Sequence, residues 1–307
     1  MRIAVYLPLV VPVLAAVLAR PVADRLRPRA AVWVLTLAAV VLAAATAAAL
    51  GLLAAAGLAQ LPVLAAMKGY SLRLVRDDDP ASPALGIVAV VLLAAVATNT
   101  LRVAWRRLIA FAAAAEQAAR LGSASEIVVM DGDACDAYAV PGLPGRIVVS
   151  RPMLDALTSS ERTVLLAHER AHLRRWHVVF VSLARCAAAA NPFLIPLQHV
   201  VEYSVERWAD EVAASVTGDR RGTAVAIAKA ALASGDHRGR MPSGALGITG
   251  RSGGPVPRRV AAMLAPARPS RPAAVIVAIT GLLAAVACAA EGARDLHALF
   301  AMVGLLQ

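Results

Sequence analysis

The chain has 307 residues, 59% of them hydrophobic, and a mean hydropathy of +0.67, too apolar for an ordinary soluble domain and indicative of several membrane spans. The net charge of +11 rests almost wholly on arginine, since lysine occurs only at Lys68 and Lys229. No basic stripe with interleaved aromatics accompanies it, so a direct nucleic-acid partner is not expected, and contact with the cytoplasmic leaflet of the lipid bilayer is the simpler reading. The cysteines, Cys135, Cys186 and Cys288, are far apart and lack CxxC spacing, which argues against a disulfide framework or thiolate metal site and fits a reduced compartment.

Ile3 to Ala19 is an apolar run broken only by Pro8 and Pro12, and is read as a first span over residues 3–19. A signal peptide competes, because Val17-Leu18-Ala19 resembles a cleavage site. Charge decides against it: Arg2 alone precedes the run, whereas Arg20, Arg25, Arg27 and Arg29 follow, which puts the N-terminus outside and the next loop in the cytoplasm. The apolar segment from Ala30 to Met67 is longer than one span needs, and is read as a second span over 31–53 followed by an interfacial or re-entrant piece over 54–67; two short spans are the alternative, which would reverse the sides of everything after them. The near-neutral loop from Lys68 to Pro83 suits the outside. A third span over 84–101 then returns to the cytoplasm, where Arg102, Arg106 and Arg107 follow at once. Near its end, Thr98 and Asn99 read as interhelical hydrogen-bonding residues. Residues 1–107 are thus an N-terminal membrane region.

Residues 108–272 form the one expected soluble domain. Ile109 to Leu121 reads as helix, and Glu126 to Met130 and Arg146 to Ser150 as strands. Between them Ala137-Tyr138-Ala139-Val140-Pro141-Gly142 reads as an edge strand, because proline cannot serve a central ladder. Such an edge can accept an extended peptide, which makes Tyr138, Ala139 and Val140 candidate substrate-binding positions; a plain hairpin turn is the alternative.

The stretch His168-Glu169-Arg170-Ala171-His172 reads H-E-x-x-H. The residues ahead of it, Ser159-Ser160-Glu161-Arg162, offer a capping serine, and no proline or glycine lies between Ser159 and Trp176, so a helix is expected. On a helix the two imidazoles leave one face a turn apart and can both reach one Zn2+, while Glu169 is placed to act as general base. Val178 to Ala190 follows as an apolar helix broken by Asn191-Pro192, and Phe193 to Val201 is apolar again. A true span here would put the metal-binding helices on opposite sides of the membrane, so a hairpin lying on or dipping into the cytoplasmic leaflet is expected.

Glu202, Glu206 and Asp210 then fall on one helical face. A catalytic zinc needs three protein ligands and an open position, and Glu206 is read as the third ligand. Asp210, one turn on, is placed to accept the second ring N–H of a ligand histidine. Glu211 and Glu202 read instead as solvated acidic residues. His177 and His199 read mainly as packing or interfacial residues, with a minor claim to ligand or oxyanion roles; Tyr203 and Arg207 join His199 as unranked oxyanion donors. Arg221 to Ala233 reads as helix, Ser234 to Pro257 as a Gly/Ser/Pro-rich loop, and Arg258 to Leu264 as a short basic helix. A fourth span over 273–290, flanked by Arg268 and Arg271, leaves a short external tail within residues 273–307.

His168-Glu169-Arg170-Ala171-His172, Asn191-Pro192-Phe193 and Glu206-Arg207-Trp208-Ala209-Asp210 together resemble the membrane metallopeptidases of the BlaR/MecR type, relatives of the HtpX and CAAX-protease group. The segment 137–142 and the strand Ile147-Val148-Val149-Ser150 resemble the edge strand and following strand of those enzymes. The resemblance implies a multi-span α-helical membrane protein with a cytoplasmic α+β zincin-like metalloprotease domain. It also implies zinc on His168, His172 and Glu206, and catalysis by Glu169. It implies a regulatory protease acting on a BlaI-type transcriptional repressor. Direct β-lactam binding is not expected, because the residues after the fourth span leave no room for a penicillin-binding sensor domain. The competing expectations are an HtpX-type quality-control endopeptidase and a non-catalytic signalling scaffold.

Overall fold

The computed structural model describes residues 7–61, 82–120, 125–235 and 256–266, with isolated positions between 280 and 294. Helix α1 (Leu7–Arg25) turns through Leu26 and Arg27 into α2 (Pro28–Ala59), whose first helical residue is a proline with a ready-made helical φ. No glycine breaks α2: it runs through Gly51 and Gly57 and stops only at Gln60, two residues before Pro62. The expected second span therefore continues beyond residue 53 as regular helix. The rest of the expected re-entrant piece lies outside the described residues, as do the following loop up to residue 81, most of the loop over 234–257 and the fourth span apart from isolated positions.

Helix α3 (Pro83–Arg120) is one continuous 38-residue helix, opened by the Ser82 hydroxyl accepting the Leu85 N–H at 3.3 Å. The expected third span and the expected helix from Ile109 are thus one element. Residue 107, the expected end of the N-terminal membrane region, lies inside this helix. Gly57 and Gly86 bring α2 and α3 into backbone contact, since a Cβ on either would overlap the other's main chain. Among the described residues, α2 and α3 are the helices long and apolar enough to cross a membrane.

Strands β1 (Ile127–Met130), β2 (Ala137–Val140) and β3 (Arg146–Ser150) form a sheet of order β1-β3-β2, with β3 parallel to β1 and antiparallel to β2. Alternation along the strands divides its faces. Tyr138, Val140 and Val148 pack on Ala114 and Ala118 at the end of α3. Ala137, Ile147 and Val149 pack on Met153, Leu165 and Ala230. Those last three belong to α4 (Arg151–Ala156), α5 (Ser159–Arg174) and α8 (Arg220–Gly235).

Helix α6 (His177–Ala190) and α7 (Ile195–Thr217) form a hairpin joined by a 3-10 turn at Pro192–Leu194. Phe180, Val181, Ala184, Leu197 and Val201 of this hairpin share one core with Val32, Leu35 and Ala39 of α2. Its tip is held by polar groups. Asn191 accepts the Phe193 N–H at 3.0 Å and donates to the Thr46 hydroxyl at 3.0 Å, while Asn99 donates to the Ala189 carbonyl at 2.8 Å. Asn99 is therefore an interhelical hydrogen-bonding residue, as its place at the end of an apolar run implied. The last described helix is α9 (Val256–Leu264), packed on α8 and α7.

Candidate metal centre

Helix α5 presents the H-E-x-x-H residues. It is capped by Thr158 rather than by a serine: the Thr158 hydroxyl accepts the Glu161 N–H at 3.4 Å, and Glu161 accepts the Thr158 N–H at 2.9 Å. The frame is one residue earlier than expected because only Thr158 has a glutamate three residues on. Glu161 also pairs with Lys229 of α8 at 2.6 Å, tying the start of the helix to the core.

His168, Glu169, His172 and Glu206 are all buried, none more than 3% exposed. His168 Nε2 lies 3.1 Å from His172 Nε2, and Glu206 approaches each of those nitrogens at 3.6 Å. Tetrahedral ligands on zinc–nitrogen or zinc–oxygen bonds of about 2.0–2.1 Å stand roughly 3.3–3.4 Å apart, and the three observed separations straddle that value. Two buried ring nitrogens facing each other with a carboxylate across from both are a donor set that fits one zinc ion. Among the described residues this is the group of side chains spaced to hold a metal.

The supporting residues fix the rings. Asp210 Oδ1 lies 3.0 Å from His168 Nδ1, which directs His168 Nε2 toward the other ligands. His172 is oriented by a second imidazole: its Nδ1 lies 3.0 Å from His177 Nδ1. The tautomer that frees His172 Nε2 as a ligand carries its proton on Nδ1 and donates it to His177. The His177 ring in turn rests on Trp208, 4.7 Å between centroids.

Arg259 of α9 completes the centre. It is 1% exposed; its Nε and Nη2 donate to the two Asp210 oxygens at 2.9 and 2.6 Å, and its Nη1 lies 3.1 Å from Glu206 Oε2. Burial alone would raise both carboxyl groups, but Arg259 and the histidines outweigh it and hold Glu206 and Asp210 below the usual carboxylate range. Burial pushes His172 well down and His177 down to about 3. His168 goes the other way, to about 9, because Asp210 and Glu206 overcome its burial.

The structure brings together His168, Glu169, His172, Glu206 and Asp210, the residues singled out by spacing. It places other candidates elsewhere. Tyr203 and Arg207 line a separate cleft beside α9, and His199 is exposed on α7. Glu202 and Glu211 are not freely solvated: Glu202 is buried on Arg185 at 2.7 Å and Glu211 is bridged by Arg220. Of the three edge positions, Ala139 lines a cleft of about 640 Å³ together with Leu143, His172, Leu173 and Trp176, while Tyr138 and Val140 face α3. Two contributors escaped the motif. His177 stands outside any ligand spacing, and Arg259 is remote in sequence, in a short basic helix whose arginines carry no positional signal.

No curated protein and no solved structure matches the chain. The model of peptidase family M48 matches residues 97–195, from the middle of α3 through the sheet and α5 to the turn after α6. The matched part contains His168, Glu169 and His172, and Glu206 and Asp210 lie beyond it. About a third of the chain is therefore similar to the zinc metallopeptidases of family M48, which supports that broad family without singling out the BlaR/MecR type.

Proposed function

We propose that the chain is a membrane-embedded zinc endopeptidase. The observation that carries this reading is the mutual spacing of His168, His172 and Glu206 with Glu169 beside them on the same helix. When bound, zinc would polarise the scissile carbonyl and acidify a water molecule. Glu169 then takes the proton of the attacking water and hands it to the leaving amine. Asp210 and His177 keep the two ligand rings in place, and Arg259 neutralises the buried carboxylates behind them. The substrate enters along the cleft where Ala139 of the edge strand β2 approaches His172, and lies extended beside β2.

The α6–α7 hairpin is read as re-entrant from the cytoplasmic side, with the metal centre at its open end. Its polar tip at Asn191 meets Thr46, roughly 16 Å along α2 from Gly57 and about 20 Å from the exposed Trp33. That depth is near the middle of a hydrocarbon layer of about 30 Å.

For the target, regulated cleavage of a cytoplasmic BlaI-type repressor stays the leading reading, and the HtpX-type quality-control role is equally compatible with the family match. New protein N-termini in cells expressing the wild type and Glu169→Gln test both. One Glu169-dependent cut in a DNA-binding repressor supports regulation. Many cuts in membrane proteins support quality control. Identical sets of N-termini contradict the proteolytic reading.

A further inference from the structure

A second concave site is enclosed by the α1–α2 turn, α7 and α9, with a volume of about 640 Å³. Arg27, Arg29, Arg207, Arg220 and Arg258 line it against two carboxylates, Asp24 and Glu211. Both carboxylates are engaged: Glu211 is bridged by Arg220, and Asp24 lies 3.9 Å from Arg258. Arg27 and Arg207 have no ion pair among the described residues, and Arg29 rests only over the Trp208 ring at 6.0 Å. Among the described residues, three guanidinium groups are thus gathered in one cleft whose two carboxylates are engaged by other arginines. Such a cluster repels itself unless an anion fills it. Planar guanidinium forks match phosphate oxygens better than a point charge does, and basic pockets between membrane helices suit phosphate head groups. The cleft sits where two apolar helices, α1 and α2, join, on the arginine-rich side of the chain.

The cleft is also joined to the metal centre by adjacent residues. Arg258 stacks over the Tyr203 ring at 4.5 Å inside the cleft, and Arg259, next on α9, seats on Asp210 and Glu206. We propose that this cleft binds a phosphate-bearing anion, and that the bound anion holds α9 down so that Arg259 stays in the metal centre. The proposal does not depend on the peptidase reading.

The full chain in neutral detergent tests it, by native mass spectrometry against phosphatidylglycerol and phosphatidylcholine and by hydrogen exchange over residues 256–264. The comparison variants are Arg27→Gln/Arg207→Gln, which keeps side-chain bulk, and Arg102→Gln/Arg106→Gln, which removes exposed charge from α3. The wild type is expected to retain phosphatidylglycerol over phosphatidylcholine, with exchange in α9 slowed by the anionic lipid. The cleft variant should bind it about thirtyfold more weakly, from two arginine contacts near an anionic group. Retention that survives millimolar inorganic phosphate supports a lipid head group as the source, and slowing of α9 by inorganic phosphate alone supports a soluble phosphate. Equal retention of both lipids without an effect of phosphate overturns the proposal, as does an equal loss in the α3 variant.

Discussion

Arg259 grips Asp210 through two parallel hydrogen bonds, Nε to Oδ2 at 2.9 Å and Nη2 to Oδ1 at 2.6 Å, with both side chains almost wholly buried. Asp210 passes that constraint to His168, 3.0 Å away. Removing the arginine leaves two buried carboxylates without their counter-charge. Arg259→Leu should therefore cost about 3–5 kcal/mol, as breaking a buried pair does. Arg259→Lys should recover only part of it, because an ammonium cannot make the paired contact. Thermal unfolding of the metal-free protein measures both, and unchanged unfolding in Arg259→Leu would contradict the arrangement.

Ring orientation should be visible in metal affinity. Asp210→Asn and His177→Phe are each expected to weaken zinc binding by about 10–100-fold, the usual effect of losing a partner behind a ligand. Competition with a zinc-binding dye reads this without any substrate.

The cap of α5 predicts a pH dependence. The Lys229 contact and the Thr158 N–H hold Glu161 below its ordinary value of 4.5. Its folded pKa is thus lowered, so its contribution is fully present above 4.5 and is lost as pH falls through the lower folded value. Lys229→Ala should move the onset of acid unfolding upward. Thr158→Ala should cost about 1 kcal/mol at neutral pH.

The Gly57–Gly86 contact leaves no space for a side chain on either helix. Gly57→Leu should force α2 and α3 apart and destabilise by about 1–3 kcal/mol or more, since backbone rather than a flexible side chain must yield. Gly51→Leu, where a Cβ meets nothing within 4 Å, is the matched control and should be nearly neutral.

The re-entrant hairpin predicts a depth. A nitroxide at Phe193, 58% exposed at the tip, should be protected from water-soluble relaxation agents and sensitive to oxygen dissolved in lipid. The reverse pattern would put the hairpin on the membrane surface.

Much of the centre was legible because helical spacing is local. His168, Glu169 and His172 share one helix and Glu206 and Asp210 another, so one periodicity argument sets each group on a face. The strands at 127–130 and 146–150 were equally legible from β-branched runs bounded by glycine and proline, and the one at 137–140 from the Pro141-Gly142 that ends it. What stayed hidden was long-range. Nothing local distinguishes the buried Arg259 from Arg258 beside it, which faces the cleft. The run from the third span into Ile109 carries its arginines without a glycine or proline, so polarity changes along α3 while the helix does not. His177 likewise gains its meaning only from the turn at Trp176, whose left-handed backbone folds α6 back toward His172.

The central claim is that His168, His172 and Glu206 hold a catalytic zinc, and its most direct test is the metal content of purified full-length variants. The wild type and Glu169→Gln should each carry about one zinc per chain, because Glu169 is not a ligand, whereas His168→Ala, His172→Ala and Glu206→Ala should retain little. Equimolar zinc in the Glu206→Ala protein, or its loss in Glu169→Gln with the fold intact, would contradict the account.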